Sequence, residues 1–397
     1  MLSVHDVIVI GAGPVGSYTA GSLAGMGHKV LVLERKERLD EPVCCSGIIS
    51  EECVRSFAIS ESVILRRING ATFFSPSKSL HIGLRQKNQA CIVDRPALNL
   101  LLAQRAQQNG AEYLPGSLVK EVKAGEGGVR VIAVRGGEEL TFEAKAAVVA
   151  DGFRSGLASM LGLGKVSDFI VGAQAEVSTN DLNEIEVYFN QEVAPGFFAW
   201  LVPTSPAKAL VGLAVRHNPG LYLKKLISSL QAQGKIVSTD AEILYRGIPL
   251  KPLTKTCGNR VIVVGDAVGQ VKPTTGGGIY YGLLCADIAA RTLHQALERN
   301  ILSARSLAGY ERGWRKKLGQ ELRLCYWARK FYRRLSDRQI DRIFDIIISN
   351  EIDKALLDMD DLSFDWHGEI LLRVLKQQTW LKAINAVLKV PFRIGAD

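Results

Sequence analysis

The stretch that decides the fold is DVIVIGAGPVG, residues 6–16, which is followed by LVLER at residues 31–35. An apolar run that ends in a glycine-rich turn and opens a helix is typical of a unit that holds a dinucleotide pyrophosphate at the helix N-terminus. In such a unit Gly11 permits the tight turn, Gly13 lets the backbone approach the phosphates, and Gly16 lets the helix pack closely on the strand. The pattern therefore predicts a dinucleotide-binding unit at the start of the chain.

Acidic residues follow three predicted buried strands. Glu34 ends the second strand, where its carboxylate can accept hydrogen bonds from ribose hydroxyls. Asp151 and Gly152 follow one later apolar run, and Asp266 follows another. Beyond it, PTTGGGI at residues 273–279 opens a helix, and its three glycines present bare backbone N–H groups suited to a negatively charged ligand atom. The chain thus contains several turns that could contact one nucleotide ligand.

Composition places the chain among globular proteins. Its 397 residues are 47% hydrophobic, yet no apolar run reaches the ~20 residues that cross a bilayer. The first residues enter the predicted strand directly and do not resemble a signal peptide, so we expect a cytoplasmic protein. The seven cysteines form no CxxC pair, and the six histidines are scattered along the chain. We therefore predict neither a disulfide framework nor a metal site.

Positive charge is concentrated in the basic segment, residues 312–342. It contains eleven Arg or Lys residues and three acidic ones, a local net charge of +8 in a chain whose net charge is +9. Such a segment is typical of a solvated helix face or of a helix that contacts an anionic membrane surface. No stacking platform or zinc-finger pattern accompanies it, so we predict no nucleic acid partner. The membrane alternative predicts a peripheral contact on the inner face of the membrane.

From about Ile170 to Ile248 the pattern is mostly that of strands, interrupted by one helix from about Tyr222 to Gln233. These strands would form an antiparallel sheet that walls a substrate cavity. In a strand expected over Phe197 to Pro203, Phe198 and Trp200 fall on the same face by period-two alternation. Their rings either pack in the core or line the cavity.

Two further positions have both a structural and a functional interpretation. Cys45, in the loop PVCCSGII at residues 42–49, either packs as a small hydrophobic residue or lies along the ring of a bound dinucleotide cofactor. Arg95 occupies the first turn of a helix capped by Asp94, where an acid would suit the helix dipole better. A basic residue at this place is a candidate contact for a phosphate or a ribose.

Three elements stand in order along the chain: the first glycine-rich turn with Glu34, the Asp151-Gly152 turn and the Gly265-Asp266 turn. Together they resemble the FAD-binding elements of the p-hydroxybenzoate hydroxylase superfamily. Within that superfamily the chain is similar to the geranylgeranyl reductase family over about residues 4 to 300. That similarity rests on PVCC at residues 42–45, PGFFAWLVP at residues 195–203 and PTTGGGI at residues 273–279.

The resemblance implies an FAD-dependent enzyme that saturates carbon–carbon double bonds of geranylgeranyl chains on chlorophyll precursors, free diphosphates, quinone precursors or ether-linked archaeal lipids. The external reductant would be NADPH or ferredoxin, and no second GxGxxG marks a nicotinamide site. By the resemblance, the FAD contacts are Gly16, Glu34, Cys45, Ser46, Gly47, Arg95, Val119, Asp266, Gly278 and Ile279. The glycine-rich turns and their neighbours add Gly11, Gly13, Pro14, Val15, Arg35, Asp151, Gly152, Gly276 and Gly277.

The chemistry explains why aromatic residues matter at such a site. An isolated trisubstituted alkene accepts hydride from flavin N5 only if a proton reaches the neighbouring carbon at about the same time. Positive charge then develops at a tertiary carbon, and the faces of Phe198 and Trp200 would stabilise it by cation–π attraction. The catalytic candidates are therefore Cys45, Phe198 and Trp200, with Cys45 orienting the substrate or the flavin.

The chain departs from the family pattern at the aromatic box, which usually reads Tyr-x-Trp-x-Phe-Pro. Phe198 and Val202 replace the tyrosine and the phenylalanine, and Cys44 occupies a position that is usually basic. A flavin monooxygenase or halogenase would use the same FAD elements, but hydroxylases usually carry Ala-His where this chain has Val268-Gly269. A prenyl-lipid carrier is the non-enzymatic alternative, and the flavin-facing acidic turns argue against it.

These patterns predict an α/β fold, α+β overall, with a Rossmann-like FAD-binding domain, an interleaved antiparallel β-sheet substrate domain and a C-terminal helical region. We expect a monomer with an isoprenoid lipid substrate. The predicted domains are 1–64, 94–169 and 255–300 for FAD, 65–93 and 170–254 for the substrate, and 301–397 for the helical region.

Overall fold

The computed structural model describes residues 5–68, 70–83, 90–153, 156–238, 242–352 and 364–376. The chain forms two compact units. The first, the nucleotide unit, comprises Met1–Val43, Asp94–Phe169 and Gly247–Gln320. The second, the sheet unit, comprises Cys44–Val93, Ile170–Arg246 and Glu321–Asp397.

The elements are numbered in chain order. The strands are β1 (His5–Ile10), β2 (Val30–Leu33), β3 (Ile48–Ser50), β4 (Ile64–Ile68), β5 (Gly70–Phe74), β6 (Ser79–Gly83), β7 (Ala90–Val93), β8 (Glu112–Leu114), β9 (Leu118–Ala124), β10 (Val129–Arg135), β11 (Glu138–Val149), β12 (Phe169–Thr179), β13 (Ile185–Tyr188), β14 (Ala199–Ser205), β15 (Lys208–Val215), β16 (Ile236–Ser238), β17 (Leu244–Pro249), β18 (Cys257–Gly258) and β19 (Val261–Val263). The helices are α1 (Pro14–Gly25), α2 (Glu51–Ser56), α3 (Arg95–Gln108), α4 (Leu157–Met160), α5 (Pro219–Ala232), α6 (Ile279–Glu298), α7 (Ala304–Tyr332), α8 (Asp337–Ser349) and α9 (His367–Lys376).

A mixed sheet forms the core of the nucleotide unit, in the order β18-β19-β11-β1-β2-β8. Strands β19, β11, β1, β2 and β8 run parallel, so that Val9 pairs with Val148 on one side and with Val32 on the other. The antiparallel hairpin of β9 and β10 extends from β11. Because these parallel strands are buried, their sequences are continuous apolar runs. Their carboxyl ends meet along one edge, where ligands bind in open α/β sheets.

Helix α1 packs against both α3 and α6, and small residues allow the close approach. A Cβ atom at Gly21 on α1 would lie 3.1 Å from Cα of Ala106 on α3. At Gly282 on α6 it would lie 2.5 Å from Cγ2 of Val15 on α1. These contacts hold the first turn of α1 against α6, at the edge where the parallel strands end.

The sheet unit is organised around the strands β16-β12-β15-β14-β13-β5-β6, with β17 beside β12. On one face, Ala175, Leu201 and Val211 form a buried core together with residues of α5. Since side chains alternate along a strand, Trp200 and Val202 occupy the other face. A small sheet of β3, β7 and β4 belongs to the same unit.

Two long helices follow α6. Trp314, Leu318, Leu322 and Cys325 recur at helical spacing along α7 and are buried. In the sheet unit, Asp341 of α8 accepts hydrogen bonds from Ser75 and Ser77 in the turn between β5 and β6. Among the described residues, no helix combines the length and hydropathy needed to cross a membrane.

The mixed α/β fold class predicted from the sequence is confirmed, and two elements begin at other residues than expected. The strand expected from Phe197 begins at Ala199, because the Phe197 N–H closes a turn onto the carbonyl of Ala194. The helix expected from Tyr222 begins at Pro219, a residue favoured in the first turn of a helix.

The boundaries of the two compact units differ from the predicted domain boundaries. The chain enters the sheet unit at residue 44, not 65, because β3 and β4 both pair with β7, as in Ile48 with Ile92. It returns to the nucleotide unit at residue 247, where the Leu250 N–H donates to the carbonyl of Asp168. The first half of α7 also belongs to the nucleotide unit. The functional division into domains stays a prediction.

Candidate functional site

The turn between β1 and α1 has the geometry that its glycines predict. Gly11 has a φ of 100°, and its N–H donates to the carbonyl of Leu33 at 2.8 Å. A Cβ atom at Gly16 would collide with the carbonyl oxygen of Gly11. At Gly13, by contrast, a Cβ atom would meet no described atom within 4 Å. The turn is therefore closely packed at Gly16 and open at Gly13.

The N-terminus of α1 is left available for an anion. Its N-cap residue is Gly13, which has no side chain to cap the helix. Pro14 follows, and the first turn contains no acidic residue. Free backbone N–H groups and the positive end of the helix dipole therefore point out of the helix, as a phosphate site requires. Glu34 is fixed beside this turn, because its carboxylate accepts the Ala12 N–H at 2.7 Å and the Lys36 N–H at 3.0 Å.

The nucleotide unit brings the three separated turns together. A Cβ atom at Gly11 would lie 2.9 Å from Cα of Asp151, which follows the neighbouring strand β11. At Gly265, after β19, it would lie 3.3 Å from the side chain of Val15. Gly152 and Gly265 both have positive φ values, 78° and 72°, so each turn needs its glycine.

The PTTGGGI loop forms a compact turn against the third of these elements. Its Gly276 N–H donates to the carbonyl of Lys272 at 2.8 Å, and the Lys272 N–H donates to the carbonyl of Gly277 at 3.0 Å. A Cβ atom at Gly278 would lie 2.7 Å from Oδ1 of Asp266. Helix α6, which begins at Ile279, has neither a side-chain cap among the described residues nor an acid in its first turn. The N-terminus of α6 therefore lies beside the carboxylate of Asp266.

Among the described residues of the nucleotide unit, Arg95 and Lys272 are buried cations, and the sequence had pointed only to Arg95. Arg95 is 6% exposed; its Nη1 donates to Oδ1 of Asn99 at 3.4 Å, and its Nε has no hydrogen-bond partner among the described residues. Lys272 is 4% exposed, with its ammonium 5.7 Å from the ring centroid of Tyr281. Because a buried cation with an unused donor favours an anionic ligand, Arg95 fits a phosphate or a carbonyl oxygen of a nucleotide.

Two other predicted contacts are placed less specifically. Arg35 is exposed after β2. Val119 lies on β9 opposite Ala133, next to a register shift, and packs against the core of the sheet. Their contacts with a cofactor stay predictions.

Cys45, Ser46 and Gly47 lie in the sheet unit. The carbonyl of Cys45 accepts a hydrogen bond from Nε2 of Gln174 at 3.2 Å, and Gly47, with a φ of 74°, accepts from the Val93 N–H. Burial, together with the neighbouring Cys45, raises the pKa of Cys44 to about 12. Cys44 is therefore a protonated thiol at neutral pH, and hydrogen bonds to the carbonyls of Cys45 and Gly47 fix the part of the loop that follows it.

Trp200 lies flat across its own sheet. Gln174, Gly212 and Trp200 are paired in one row across β12, β15 and β14. A Cβ atom at Gly212 would lie 2.5 Å from Cε2 of the indole, so the missing side chain makes room for the ring. The indole Nε1 and Oε1 of Gln174 are buried and have no hydrogen-bond partner among the described residues. The sequence analysis did not identify Gln174. A glycine inside a strand, here Gly212, can signal that another group approaches the backbone closely, as the indole does.

Phe198 joins Trp200 to a larger aromatic cluster in the sheet unit. The ring centroids of Phe198 and Trp200 are 5.9 Å apart in an edge-to-face arrangement, and Phe189 is 5.7 Å from Phe198. Tyr332 of α7 and Phe344 of α8 continue the cluster at 5.8 Å and 6.3 Å from Phe189. Both Phe198 and Trp200 remain partly exposed. Core packing therefore leaves part of each ring accessible.

The basic segment is not uniformly a solvated face. Arg329 is buried, donates to the carbonyl of Gly196 and stacks 4.7 Å from the ring centroid of Phe197. Arg333 and Arg334 are exposed. Trp327 is 43% exposed, with Lys330 4.7 Å from its ring centroid. The segment therefore contributes to packing at one position and presents cationic and aromatic groups to solvent at others.

Two histidines that are far apart in sequence lie side by side in the nucleotide unit. Nε2 of His28 lies 2.9 Å from Nδ1 of His294, and the carboxylate of Glu298 is close to both. Sequence spacing could not indicate this contact, because 266 residues separate the two histidines, and the absence of a metal site stays a prediction.

Comparison with known proteins identifies the family to which this arrangement belongs. The FAD binding domain family matches residues 4–211. A digeranylgeranylglycerophospholipid reductase of Methanocaldococcus jannaschii is 33% identical over 353 residues, which cover 86% of this chain and 90% of that protein. The chain belongs to the geranylgeranyl reductase family of FAD-binding proteins. A second relative in the family, digeranylgeranylglycerophospholipid reductase 2 of Methanothermobacter thermautotrophicus, is 31% identical and covers 85% of this chain and 90% of its own length.

Solved structures extend the comparison to the fold. A geranylgeranyl bacteriochlorophyll reductase-like protein from Thermoplasma acidophilum has a TM-score of 0.84 at 23% identity, covering 98% of this chain and 100% of that one. A flavin-dependent brominase has a TM-score of 0.70 at 15% identity, covering 95% and 99%. The geranylgeranyl reductase family thus shares its fold with flavin-dependent halogenases.

Family membership confirms the predictions of an FAD cofactor and of a flavin-dependent oxidoreductase. The geometry of the nucleotide unit fits FAD: the open N-terminus of α1 and the buried Arg95 suit its phosphates, while the glycines leave space for its backbone contacts.

Proposed function

We propose that this protein is an FAD-dependent reductase that saturates carbon–carbon double bonds of geranylgeranyl chains on a lipid, chlorophyll or quinone precursor. The observation that carries the proposal is the 33% identity to a digeranylgeranylglycerophospholipid reductase over 353 residues. A match of that length includes residues of both compact units, so it is not limited to the part that binds the cofactor. The names of the relatives favour a lipid among the three kinds of precursor.

In this proposal the nucleotide unit holds the cofactor, which when bound and reduced supplies the hydride for the alkene. The N-terminus of α1 at Gly13 binds the pyrophosphate, and Glu34 accepts a ribose hydroxyl. Arg95 binds an anionic oxygen with its unused Nε–H. The remaining proposed contacts are Gly11, Pro14, Val15, Gly16, Arg35, Val119, Asp151, Gly152, Asp266, Gly276, Gly277, Gly278 and Ile279.

The sheet unit supplies the proposed contacts to the prenyl chain. Reduction of a trisubstituted alkene develops positive charge at a tertiary carbon, which the aromatic faces of Phe198 and Trp200 stabilise. Such an attraction contributes up to ~2 kcal/mol when desolvated, which is roughly thirtyfold in rate. The neighbouring rings of Phe189, Tyr332 and Phe344 are suited to contact the remaining part of the prenyl chain.

The roles of the cysteine loop rest on the family resemblance. Cys45, Ser46 and Gly47 are proposed flavin contacts, and Cys45 is also proposed to orient the substrate. The hydrogen bond from Gln174 to the Cys45 carbonyl supports this role, because it fixes the loop without using the thiol.

A peripheral contact with an anionic membrane surface on the cytoplasmic side is part of the proposal. It is supported by the charge of the basic segment and by the exposed Trp327 next to Lys330. That the protein is a monomer, and whether NADPH or ferredoxin reduces its flavin, stay predictions.

The experiment is anaerobic turnover with dithionite as reductant and a panel of prenyl substrates: geranylgeranyl diphosphate, a digeranylgeranylglycerol phospholipid and a geranylgeranylated chlorophyll precursor. Mass spectrometry should find products heavier by two hydrogens for each reduced bond, with the lipid turned over fastest.

Other products would favour other members of the superfamily. Substrate-dependent oxygen uptake with a hydroxylated product would identify a monooxygenase, and halide incorporation into a phenol would identify a halogenase. Purified protein that holds a prenyl lipid and binds no flavin would identify a carrier. Any of these results without alkene reduction would contradict the proposal.

A further inference from the structure

Three side chains of the nucleotide unit form a cluster that the proposed reduction does not use. Nε2 of His28, Nδ1 of His294 and a carboxylate oxygen of Glu298 all lie within 4.8 Å of one another. The two imidazole nitrogens are 2.9 Å apart, and the rings meet edge to face with centroids 5.1 Å apart. Both histidines are partly buried, while the glutamate is exposed. Their ligand atoms therefore converge on one point near the surface.

The backbone holds these groups on rigid elements. His294 and Glu298 are four residues apart on α6, so their side chains lie on the same face of the helix. His28 follows α1 in a turn that is fixed by Gly27, with a φ of 89°, and by a hydrogen bond from the His28 N–H to the carbonyl of Leu23. Since α1 packs along α6, the cluster does not depend on a flexible loop.

The nearby charges leave the cluster favourable for a cation. The ammonium of Lys145 is paired with Oδ1 of Asp6 at 2.7 Å, and the other oxygen of Asp6 accepts the Lys29 N–H. The lysine charge is thus balanced by Asp6, while the carboxylate of Glu298 is directed at the histidines.

We propose that His28, His294 and Glu298 bind one divalent transition-metal ion of the Zn²⁺, Ni²⁺ or Co²⁺ class. Two imidazole nitrogens and one carboxylate oxygen form a donor set that such borderline ions prefer. In a tetrahedral site with metal–nitrogen bonds of about 2.0–2.1 Å, the two nitrogens are roughly 3.3 Å apart. The observed separation would need to open by only a few tenths of an ångström, and water would complete the coordination.

The position of the cluster gives the metal a structural role. His28 precedes β2, whereas the FAD-binding turns follow the parallel strands, so the cluster lies at the opposite edge of the sheet. A strand of four to six residues spans roughly 13–20 Å. The ion therefore does not contact the flavin but joins the turn after α1 to the C-terminal part of α6, which should stabilise the nucleotide unit.

The test is Zn²⁺ binding to the purified holoenzyme after treatment with EDTA. Isothermal titration calorimetry should find one saturable site, and 100 µM Zn²⁺ should raise the unfolding temperature by about 3 °C. The substitutions His28→Asn, His294→Asn and Glu298→Gln should each weaken binding by about tenfold or more and remove the thermal shift. His217→Asn, which removes an exposed histidine of the sheet unit, is the matched control and should bind like the unchanged protein.

Two results would overturn this proposal. One is an absence of saturable Zn²⁺ binding in the unchanged protein, and the other is equal binding in the cluster variants and in His217→Asn. Unfolding temperatures in EDTA show whether each variant is folded. If the histidine variants fail to fold, Glu298→Gln decides the question, because its side chain is exposed.

Discussion

At Gly13 there is space for a methyl group in the protein alone but not in a complex in which a pyrophosphate approaches the backbone. The φ of Gly13 is −66°, which alanine adopts without strain, and no described atom lies within 4 Å of a Cβ built there. Gly16 differs, because its Cβ would collide with the carbonyl of Gly11. Two glycines of one motif therefore have separable roles, one in binding and one in folding.

We expect Gly13→Ala to fold normally and to weaken FAD binding by about tenfold or more, the equivalent of ~1.4 kcal/mol. Gly16→Ala should lower the unfolding temperature as well. Fluorescence titration of the apoprotein with FAD, combined with thermal unfolding, measures both effects. Gly319→Ala in α7 is the control, because a Cβ atom there meets only an ordinary contact at 3.7 Å. Unchanged FAD affinity in Gly13→Ala would contradict the assignment of the pyrophosphate site.

Trp200 is the second residue whose role a single substitution can isolate. Replacement by leucine keeps an apolar side chain and removes the aromatic face, so turnover should fall roughly thirtyfold while flavin content stays constant. Trp200→Phe should retain part of the rate. The control is Trp327→Leu, assayed with substrate in detergent. Equal rates in Trp200→Leu and the unchanged protein would show that the indole does not stabilise the developing charge.

At the scale of elements, the carboxylate of Asp341 on α8 binds the turn between β5 and β6. Burial acts to raise the pKa of Asp341, but hydrogen bonds from Ser75 and Ser77 outweigh it and lower that pKa below the ordinary value of 3.8. A carboxylate with a lowered pKa stabilises the folded state above its unfolded pKa, and this contribution is lost as the pH falls through the folded value. The contribution of this carboxylate should therefore be present at neutral pH and be lost in acid below about pH 4.

Asp341→Ala should reduce the free energy of unfolding at pH 7 by about 1 kcal/mol, allowing for the partial exposure of the group. The difference from the unchanged protein should shrink below about pH 4. Urea unfolding at pH 7, 5 and 3 measures it, with Asp345→Ala as the control for a solvent-exposed ion pair. A difference that persists at pH 3 would show that another feature of Asp341 is responsible.

The elements show which predictions sequence alone allows. The turns at Gly11, Asp151 and Gly265 could be predicted because each depends on neighbouring residues, and parallel strands then bring their ends to one edge. The contact of His28 with His294 could not, since it depends on the packing of α1 against α6. Burial of Arg329 was also missed, because its partner, the carbonyl of Gly196, lies 133 residues away.

For the whole molecule, the basic segment predicts salt-sensitive binding to anionic vesicles. Charge reversal in Arg333→Glu/Arg334→Glu should weaken sedimentation with phosphatidylglycerol vesicles, because each basic residue near the surface contributes about 1 kcal/mol. The matched control reverses Lys224 and Lys225, two exposed residues of α5. Equal losses in both double variants would indicate a nonspecific charge effect, and no loss in the first would exclude these arginines from the contact.

The central claim is that reduced flavin in this protein transfers its electrons to the alkene of a geranylgeranyl chain. Single-turnover stopped-flow absorbance at the flavin band, without oxygen or excess reductant, tests it most directly. Adding a digeranylgeranylglycerol phospholipid should reoxidise the flavin, with one double bond lost for each FAD. Flavin that stays reduced with every geranylgeranyl substrate, and reoxidises only when oxygen is admitted, would contradict the claim.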